Sequence, residues 1–247
     1  MKVSPQAQLR LLELADLDAE RSRLGHRRRT LPELAALSQL GERAAKVRDA
    51  ITIADTNLAD LDRELARAEK DVEQVRVRID RDNQRLDAGS VSNARELESL
   101  QSEVASLRRR QSDLEEIVLD LMERREAAQA LRDGADGEST KVAADISAVT
   151  ARRDASLAEI AEAEAKATAA RAGVVEGMPA ALLTLYGKVC GQSGGLGAAP
   201  LRRGQCLGCR VQLSTAALNE IRAAAPDEVL RCEECQRILV RTADSGL

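Results

Sequence analysis

Four of the five cysteines in the sequence fall into two closely spaced pairs, an arrangement that suits the binding of a metal ion. Cys206 and Cys209 form the first C-x2-C pair, Cys232 and Cys235 form the second, and 22 residues separate the pairs. A C-x2-C turn brings two thiolates close enough to share one ion at about 2.3 Å. Two such turns complete a tetrahedron of four thiolates, the ligand set that suits zinc best. The sequence therefore predicts one structural Zn²⁺ held by these four residues.

Two other interpretations of the cysteine pairs involve different chemistry. An iron–sulfur cluster, or another metal, would use the same four thiolates. Redox exchange needs a single C-x2-C pair in a βαβ setting, and that setting is absent from the sequence. Four thiolates leave no coordination position for water, so we expect the metal to stabilise the fold and not to hydrolyse a substrate.

The remaining residues that could take part in catalysis do not form a set. Cys190 lies 16 residues before Cys206 in a glycine-rich segment, and we interpret it as a spare thiol because zinc already has four ligands. His26 is the single histidine and is far along the chain from every cysteine, so we interpret it as a surface residue. The glycines at 194–197 lack the strand and helix that flank a nucleotide-binding loop. We therefore predict that the protein is not an enzyme and has no small-molecule substrate.

Short segments around the cysteines are expected to position them. Strand-like runs at 211–213, 229–231 and 238–240 flank the two pairs. The 22 residues between the pairs leave room for a helix that Ser214 can cap. Short β-hairpins plus a helix around four cysteines are the pattern of a zinc ribbon. Such a segment has too little core to fold unaided, so the metal should supply folding free energy directly.

The sequence before the ribbon has the composition of long helices. It has one Tyr, no Phe or Trp, and 32% charged residues, so we expect an elongated, mainly α protein. From residue 37, fifteen positions follow steps of three and four, and fourteen of them are apolar. They are Leu37, Leu40, Ala44, Val47, Ile51, Ala54, Leu58, Leu61, Leu65, Ala68, Val72, Val75, Ile79, Asp82 and Leu86. This stripe predicts a coiled-coil helix.

A second stripe follows a break at residues 88–92, where Asn93 can cap a new helix with Glu96 in the first turn. Its members are Leu97, Leu100, Val104, Leu107, Gln111, Leu114, Val118, Leu121, Arg125 and Ala128. A short loop favours antiparallel neighbours, so Leu86 should pair with Leu97 and Leu65 with Val118. We predict an antiparallel helical hairpin with its tip near 88–93. The polar members of the stripes, at 82, 111 and 125, either set the register or form a patch for a partner.

Glycine and proline predict interruptions toward the base of the hairpin. Gly25, Pro32 and Gly41 lie on the outgoing arm, and residues 133–137 lie on the returning arm. We expect kinks or short loops at these places. The predicted domains are a coiled-coil hairpin at 1–176 and a four-cysteine zinc ribbon at 177–247, with a short helix opened by Pro179.

The sequence resembles the bacterial C4-type zinc-ribbon proteins with a coiled-coil hairpin, a family that includes flagellar and type III secretion zinc-ribbon chaperones. The likeness is carried by GSVSNARELESLQSEV at 89–104 and by CLGC at 206–209 with CEECQRILV at 232–240. The resemblance implies a cytoplasmic, non-enzymatic protein that acts as a chaperone or adaptor for proteins, or that binds nucleic acid. Gln236 stands where the family commonly has glycine, so we expect local strain but intact metal binding.

Charge favours a protein partner over nucleic acid. The net charge of the chain is −4, and no apolar stretch predicts a signal peptide or a membrane span. Between residues 178 and 247, eight basic residues oppose six acidic ones, and the −2 of four thiolates with Zn²⁺ brings the sum to about zero. The eight are Lys188, Arg202, Arg203, Arg210, Arg222, Arg231, Arg237 and Arg241. We predict a cytoplasmic adaptor with a protein partner; nucleic-acid binding through the ribbon is the alternative.

Overall fold

The computed structural model describes residues 1–89 and 93–247, which form five helices and five strands within those ranges. The helices are α1 Pro5–Arg29, α2 Pro32–Asp87, α3 Ala94–Val175, α4 Ala180–Gln192 and α5 Thr215–Ala223. The strands are β1 Ala198–Arg202, β2 Gln205–Cys206, β3 Val211–Gln212, β4 Leu230–Arg231 and β5 Ile238–Arg241. The fold is mainly α with a small C-terminal sheet, as predicted.

The described chain divides into two compact units. Unit 1 contains Met1–Ala35 and Ala151–Leu247, and unit 2 contains Ala36–Thr150. Residue 176, where we placed the boundary between hairpin and ribbon, lies inside unit 1. The division of the chain into those two domains stays a prediction.

Unit 2 is built on the two predicted stripes. All fifteen stripe positions of α2 are buried or half-buried, and so are nine of the ten on α3. Leu97 is the exception, with 38% of its surface exposed. One cluster joins residues of both helices and includes Leu65 and Val118, which were predicted to pair. The antiparallel coiled coil is confirmed, because a stripe of this period is shielded only when a second helix packs along it.

Ion pairs across unit 2 fix the register of α2 against α3. Arg78 pairs with Glu103 near the tip, and Arg43 pairs with Glu138 at the far end. At the start of α3, the Asn93 side chain accepts a hydrogen bond from the Arg95 amide at 3.0 Å, as expected of an N-cap residue. The predicted tip falls in part on residues 90–92, which lie outside the described residues.

The predicted interruptions are only partly right. The chain leaves helix at Thr30 and Leu31, and Pro32 then begins α2, where its missing N–H costs no helical hydrogen bond. Gly25 and Gly41 lie within helices, and residues 133–137 continue α3 without a break. The prediction of a loop at 133–137 was wrong because glycine lowers helix stability by only about 1 kcal/mol. Arg132, ion-paired with Asp55 and Asp136, stabilises the helix there.

The core of unit 1 is shared by helices and sheet. Leu11 and Leu14 of α1, Leu182 of α4, and Ile238 and Val240 of β5 belong to one buried cluster. The N-terminal residues pair with the segment just before β4, where the Val3 amide donates to the Asp227 carbonyl at 2.6 Å. The face of the sheet that carries Ile238 and Val240 is therefore packed against α1 and α4.

The sheet of unit 1 has the order β3-β2-β1-β5-β4. Neighbouring strands are antiparallel except β1 and β5, which are parallel and pair Ala199 with Leu239. The predicted strands at 211–213, 229–231 and 238–240 appear as β3, β4 and β5, and the predicted helix appears as α5. The Ser214 hydroxyl caps α5 by accepting from the Ala217 amide at 3.1 Å. β1 and β2 were not predicted.

None of the described helices combines the length and the apolar character that crossing a bilayer requires.

Candidate metal centre

The first cysteine pair lies in the turn between β2 and β3. Cys206 is the last residue of β2, and the Arg210 amide donates to its carbonyl at 2.7 Å. The amides of Cys209 and Gly208 donate to the Cys206 sulfur. A Cβ on Gly208 would come within 2.8 Å of Ala199 Cβ and of Arg237 Cδ, so the turn has room only for glycine there. The backbone thus directs both sulfurs to the same side.

The second pair repeats this turn between β4 and β5. The Gln236 amide donates to the Cys232 carbonyl at 3.0 Å, and the amides of Cys235 and Glu234 donate to the Cys232 sulfur. The residue after each pair has a left-handed backbone, with φ of 63° at Arg210 and 61° at Gln236. The local strain expected at Gln236 takes the form of this positive φ, and Arg210 shows that the first turn has the same conformation.

The two turns bring the four predicted ligands together. All four Sγ atoms lie within 4.8 Å of one another. The Sγ atoms of Cys206 and Cys235 are 3.9 Å apart, as are those of Cys209 and Cys232. A regular tetrahedron with Zn–S bonds of about 2.3 Å has edges of about 3.8 Å. The geometry therefore fits one structural Zn²⁺ with a closed shell of four thiolates.

Burial and hydrogen bonding give the thiols different acidities. Burial raises the pKa of Cys206 to about 12, against the opposing effect of the two amide donors. Burial also raises the pKa of Cys232. At Cys235, burial acts in the same direction, but hydrogen bonds from the Arg237 amide, Cys232 and the Arg237 guanidinium outweigh it and lower the pKa to about 7. A bound Zn²⁺ would stabilise the thiolate form of all four cysteines.

Apolar residues and one carboxylate surround the sulfurs. The cluster that contains Cys206 and Cys232 also contains Leu201, Ile221 and Leu239, all of them buried. Glu233 joins the second turn to α5, because its carboxylate accepts from the Ser214 amide at 3.1 Å. The centre is thus enclosed by β1, β5 and α5.

Two family models match the sequence. A CT398-like coiled-coil hairpin domain matches residues 14–194, and a C4-type zinc ribbon domain matches residues 205–239. The chain belongs to the CT398-like coiled-coil hairpin family. The four cysteines lie within the stretch that the zinc ribbon model matches. Neither matching model describes an enzyme.

Relatives and solved structures agree with this membership. An uncharacterised protein of Mycobacterium tuberculosis is 37% identical over 241 residues, which cover 98% of each chain. A solved structure from Mycobacterium smegmatis has a TM-score of 0.86 at 34% identity, covering 98% of this chain and 100% of that one. CT398 from Chlamydia trachomatis has a TM-score of 0.70 at 18% identity, with 96% and 98% covered, and shows a shared fold.

Cys190 and His26 lie outside the metal centre of this family member. Cys190 belongs to α4 and not to a loop, and its half-buried sulfur is close to Tyr186 and the Gly197 amide. Burial raises the pKa of its thiol. His26 is exposed near the end of α1. Cys190 is not part of the four-sulfur cluster among the described residues. Its interpretation as a spare thiol stays a prediction.

Sequence reasoning missed a second group of polar residues at the base of the helices. The Asp18 carboxylate accepts from Arg171 Nε at 2.7 Å and from the Tyr186 hydroxyl at 2.9 Å. Burial, with the hydrogen bonds that the Tyr186 hydroxyl makes to Cys190 and Asp18, raises the pKa of Tyr186. These residues join α1, α3 and α4 although they lie up to 168 positions apart. Such a distance leaves no local pattern that could reveal the group.

Several ribbon arginines bind the backbone. Arg241 donates to the carbonyls of Ala224 at 2.9 Å and Ala225 at 2.6 Å, just after α5. Arg237 donates to the Leu196 carbonyl at 3.1 Å, and Arg231 to the Gln236 carbonyl at 2.9 Å. The sequence showed these side chains only as positive charges. Their hydrogen bonds hold loops of the ribbon in place.

Proposed function

We propose that this protein is a non-enzymatic, cytoplasmic adaptor or chaperone-like protein that presents its helical hairpin to other proteins. The zinc centre has a structural role in this proposal. Its four thiolates leave no position for a substrate or a reactive water. Partner recognition therefore falls to the surfaces that the hairpin and the ribbon provide.

The observation that carries the proposal is the set of large apolar side chains on the outside of unit 2. The stripes already bury the residues that pair α2 with α3, yet Leu119 remains 60% exposed and Met122 43% exposed. Leu119 lines a surface cavity of about 330 Å³ together with Val72 and Val118. Exposed apolar residues beside a groove between helices suit the apolar face of a partner helix.

The arginines of the ribbon support the same choice over nucleic acid. Three of the eight basic residues, Arg231, Arg237 and Arg241, already donate to backbone carbonyls, and Arg202 lies 4.0 Å from an Asp244 carboxylate oxygen. A phosphate backbone is bound by cations that are free to face it. The ribbon also has a single aromatic residue nearby, Tyr186, which is buried and unsuited to stacking on bases.

The experiment is affinity capture with the full zinc-loaded chain from native lysate, with and without nuclease. We expect protein partners that survive nuclease treatment and are lost when Leu119→Glu and Met122→Glu are combined. Ser112→Glu, an added charge at an exposed polar position of the same helix, is the matched control and should retain them. Circular dichroism should show equal helicity in all three proteins.

Two outcomes would contradict the proposal. Partners that disappear with nuclease, together with binding to DNA or RNA that weakens steeply with salt, would point to nucleic acid instead. If the Leu119 and Met122 variant retains its partners, the exposed apolar surface of the hairpin is not their binding site.

A further inference from the structure

The hairpin of unit 2 has two edges, one on each side of the buried stripes, and they differ. On the first edge, Asp55 of α2 pairs with Arg132 of α3 at 3.1 Å, and Asp62 pairs with Arg125. The hydrogen bond to Asp62 raises the pKa of Arg125 further. Ion pairs between the helices therefore close this edge in the middle of the unit.

The second edge is closed only near its ends. Counting seven-residue repeats from Leu37 in α2 and from Leu97 in α3, this edge contains the last position of each repeat. At one end Arg43 pairs with Glu138, and near the other end Arg78 pairs with Glu103. The same spacing places positions 50, 57, 64 and 71 of α2 level with 131, 124, 117 and 110 of α3. Among the described residues, no ion pair joins the two helices at these four levels. We call these eight positions the open edge.

The open edge carries an apolar trough. A cavity of about 410 Å³ lies between the helices here, with alanines at positions 50, 54, 128 and 135 along it. Ile53 and Leu131 also line it, and they are 70% and 73% exposed. Small side chains let another helix approach closely, while two large exposed ones offer contact area. The trough is thus shaped for a helix that unit 2 does not itself supply.

The charges along the open edge are compatible with a second copy of this chain. At one level Asp71 is opposite Arg110, and at another Ala50 is opposite Leu131. The other two levels join Asn57 with Arg124, and Glu64 with Ile117. No level therefore joins like charges, and the end pairs are also of opposite sign. A surface with this pattern is complementary to a copy of itself when α2 of one copy faces α3 of the other.

We propose that the open edge binds the open edge of a second copy of this chain. The two hairpins lie parallel, related by a twofold axis along their helices, so that Ile53 of each copy contacts Leu131 of the other. Asp71 of each copy then faces Arg110 of the other at the far end of the contact. The apolar part of this interface is small, so the dimer is weak and reversible, with a Kd on the order of 10 µM.

Sedimentation equilibrium of the full zinc-loaded chain tests the proposal. Between roughly 1 and 100 µM, which brackets that Kd, we expect a monomer–dimer equilibrium. Combining Ile53→Glu with Leu131→Glu should weaken the dimer at least about tenfold, because two carboxylates would be desolvated in each trough. Val77→Glu is the control, since Val77 of α2 is 58% exposed but lies outside the open edge and its trough, and it should leave the dimer unchanged.

The orientation has a separate test in a Cys190→Ser background. Ile53→Cys and Leu131→Cys are prepared as two proteins, mixed, and treated with a short bismaleimide cross-linker. The mixture should give mostly cross-linked species that contain one chain of each, whereas either protein alone should cross-link poorly. Efficient cross-linking of one variant with itself would overturn the proposed twofold axis.

A monomer at every concentration, or a dimer that survives the Ile53 and Leu131 substitutions, would overturn the second-copy proposal. These results are independent of the adaptor function. If the protein is a monomer but still captures proteins through Leu119, the dimer proposal fails and the adaptor function is unaffected. The open edge would then bind a helix of a different protein.

Discussion

Unit 2 is stabilised by many distributed apolar contacts, whereas the zinc ribbon is stabilised at a single centre. In unit 2, stability is spread over 25 stripe positions, of which ten, Leu61 and Leu121 among them, are buried and most of the others are half-buried. In the ribbon, two- to five-residue strands converge on two buried cysteines. A coiled coil can lose one contact and keep the rest, whereas a metal shell is held or lost as a whole. The two regions should therefore respond differently to single changes.

The largest expected effect is the loss of zinc on combining Cys232→Ser with Cys235→Ser. Structural zinc contributes about 10–16 kcal/mol in small zinc domains, far more than the ribbon core can replace. We expect elemental analysis to fall from one zinc per chain to none. Hydrogen exchange should show β5 unprotected while α2 in unit 2 remains protected.

Cys190→Ser is the control for the zinc experiment and should retain one zinc per chain. A ribbon that stays protected without metal would contradict the structural role of the ion. Loss of zinc in the control would make Cys190 a participant in the centre.

A smaller effect is expected from Leu61→Ala in unit 2. Leu61 is 3% exposed, and removing a buried leucine costs about 2–4 kcal/mol. Denaturant unfolding followed by circular dichroism should show the loss, while the zinc content stays at one. Ile53→Ala, at a site 70% exposed, is the matched control and should change stability little. Zinc loss in the Leu61 variant would mean that the two regions are not independent.

Asp82→Leu should act in the opposite direction. Asp82 is 2% exposed in the stripe of α2, and its carboxylate lies 3.2 Å from Arg81. Its arginine partners, Arg78 and Arg81, lie mostly in solvent, so removing the buried carboxylate relieves its desolvation cost without leaving a buried cation, and we expect a gain of about 1–2 kcal/mol. The measurement is the midpoint of denaturant unfolding, with Asp80→Leu at an exposed position as control. A lower midpoint would show that the ion pairs of Asp82 stabilise the fold by more than the desolvation of its carboxylate destabilises it.

The smallest effect is expected at Gln236. A residue other than glycine with φ of 61° carries a strain of about 1 kcal/mol, so Gln236→Gly should strengthen the second turn by less than that. The gain is reduced because the Gln236 side chain donates to the Glu233 carbonyl at 3.1 Å. A competition titration with a zinc chelator measures it, and Arg210→Gly is the counterpart in the first turn. Weaker zinc retention in the Gln236 variant would contradict the strain.

Local patterns predicted the hairpin and the metal centre because the signal for each lies within a few neighbouring residues. The apolar spacing from Leu58 to Leu65 indicates which helix face is buried, and the C-x2-C spacing indicates a metal-binding turn. The helix through Gly134 and Gly137 was missed, since both glycines are exposed and ion pairs with distant residues support that segment. No window of sequence contains those partners.

The sheet shows the same limit. β1 begins Ala198-Ala199-Pro200, which has none of the β-branched residues that mark a strand. It becomes a strand because it pairs in parallel with β5, forty residues further on. The arginine contacts of the ribbon were missed for a related reason, because a sequence shows the charge of Arg241 but not the carbonyls it meets.

The pairing of Val3 and Gln8 with residues near 227 has a consequence for biosynthesis. Gln8 donates to the Pro226 carbonyl, 218 positions further along the chain. Leu11 packs in the same buried cluster as Ile238, so this cluster is complete only after Ile238 has been made. Unit 2 has much closer partners and can assemble while later residues are still being translated. Helix α1 is thus made before its partners and is among the last of the described helices to pack. Until β5 emerges, its apolar face is what a nascent-chain chaperone would meet.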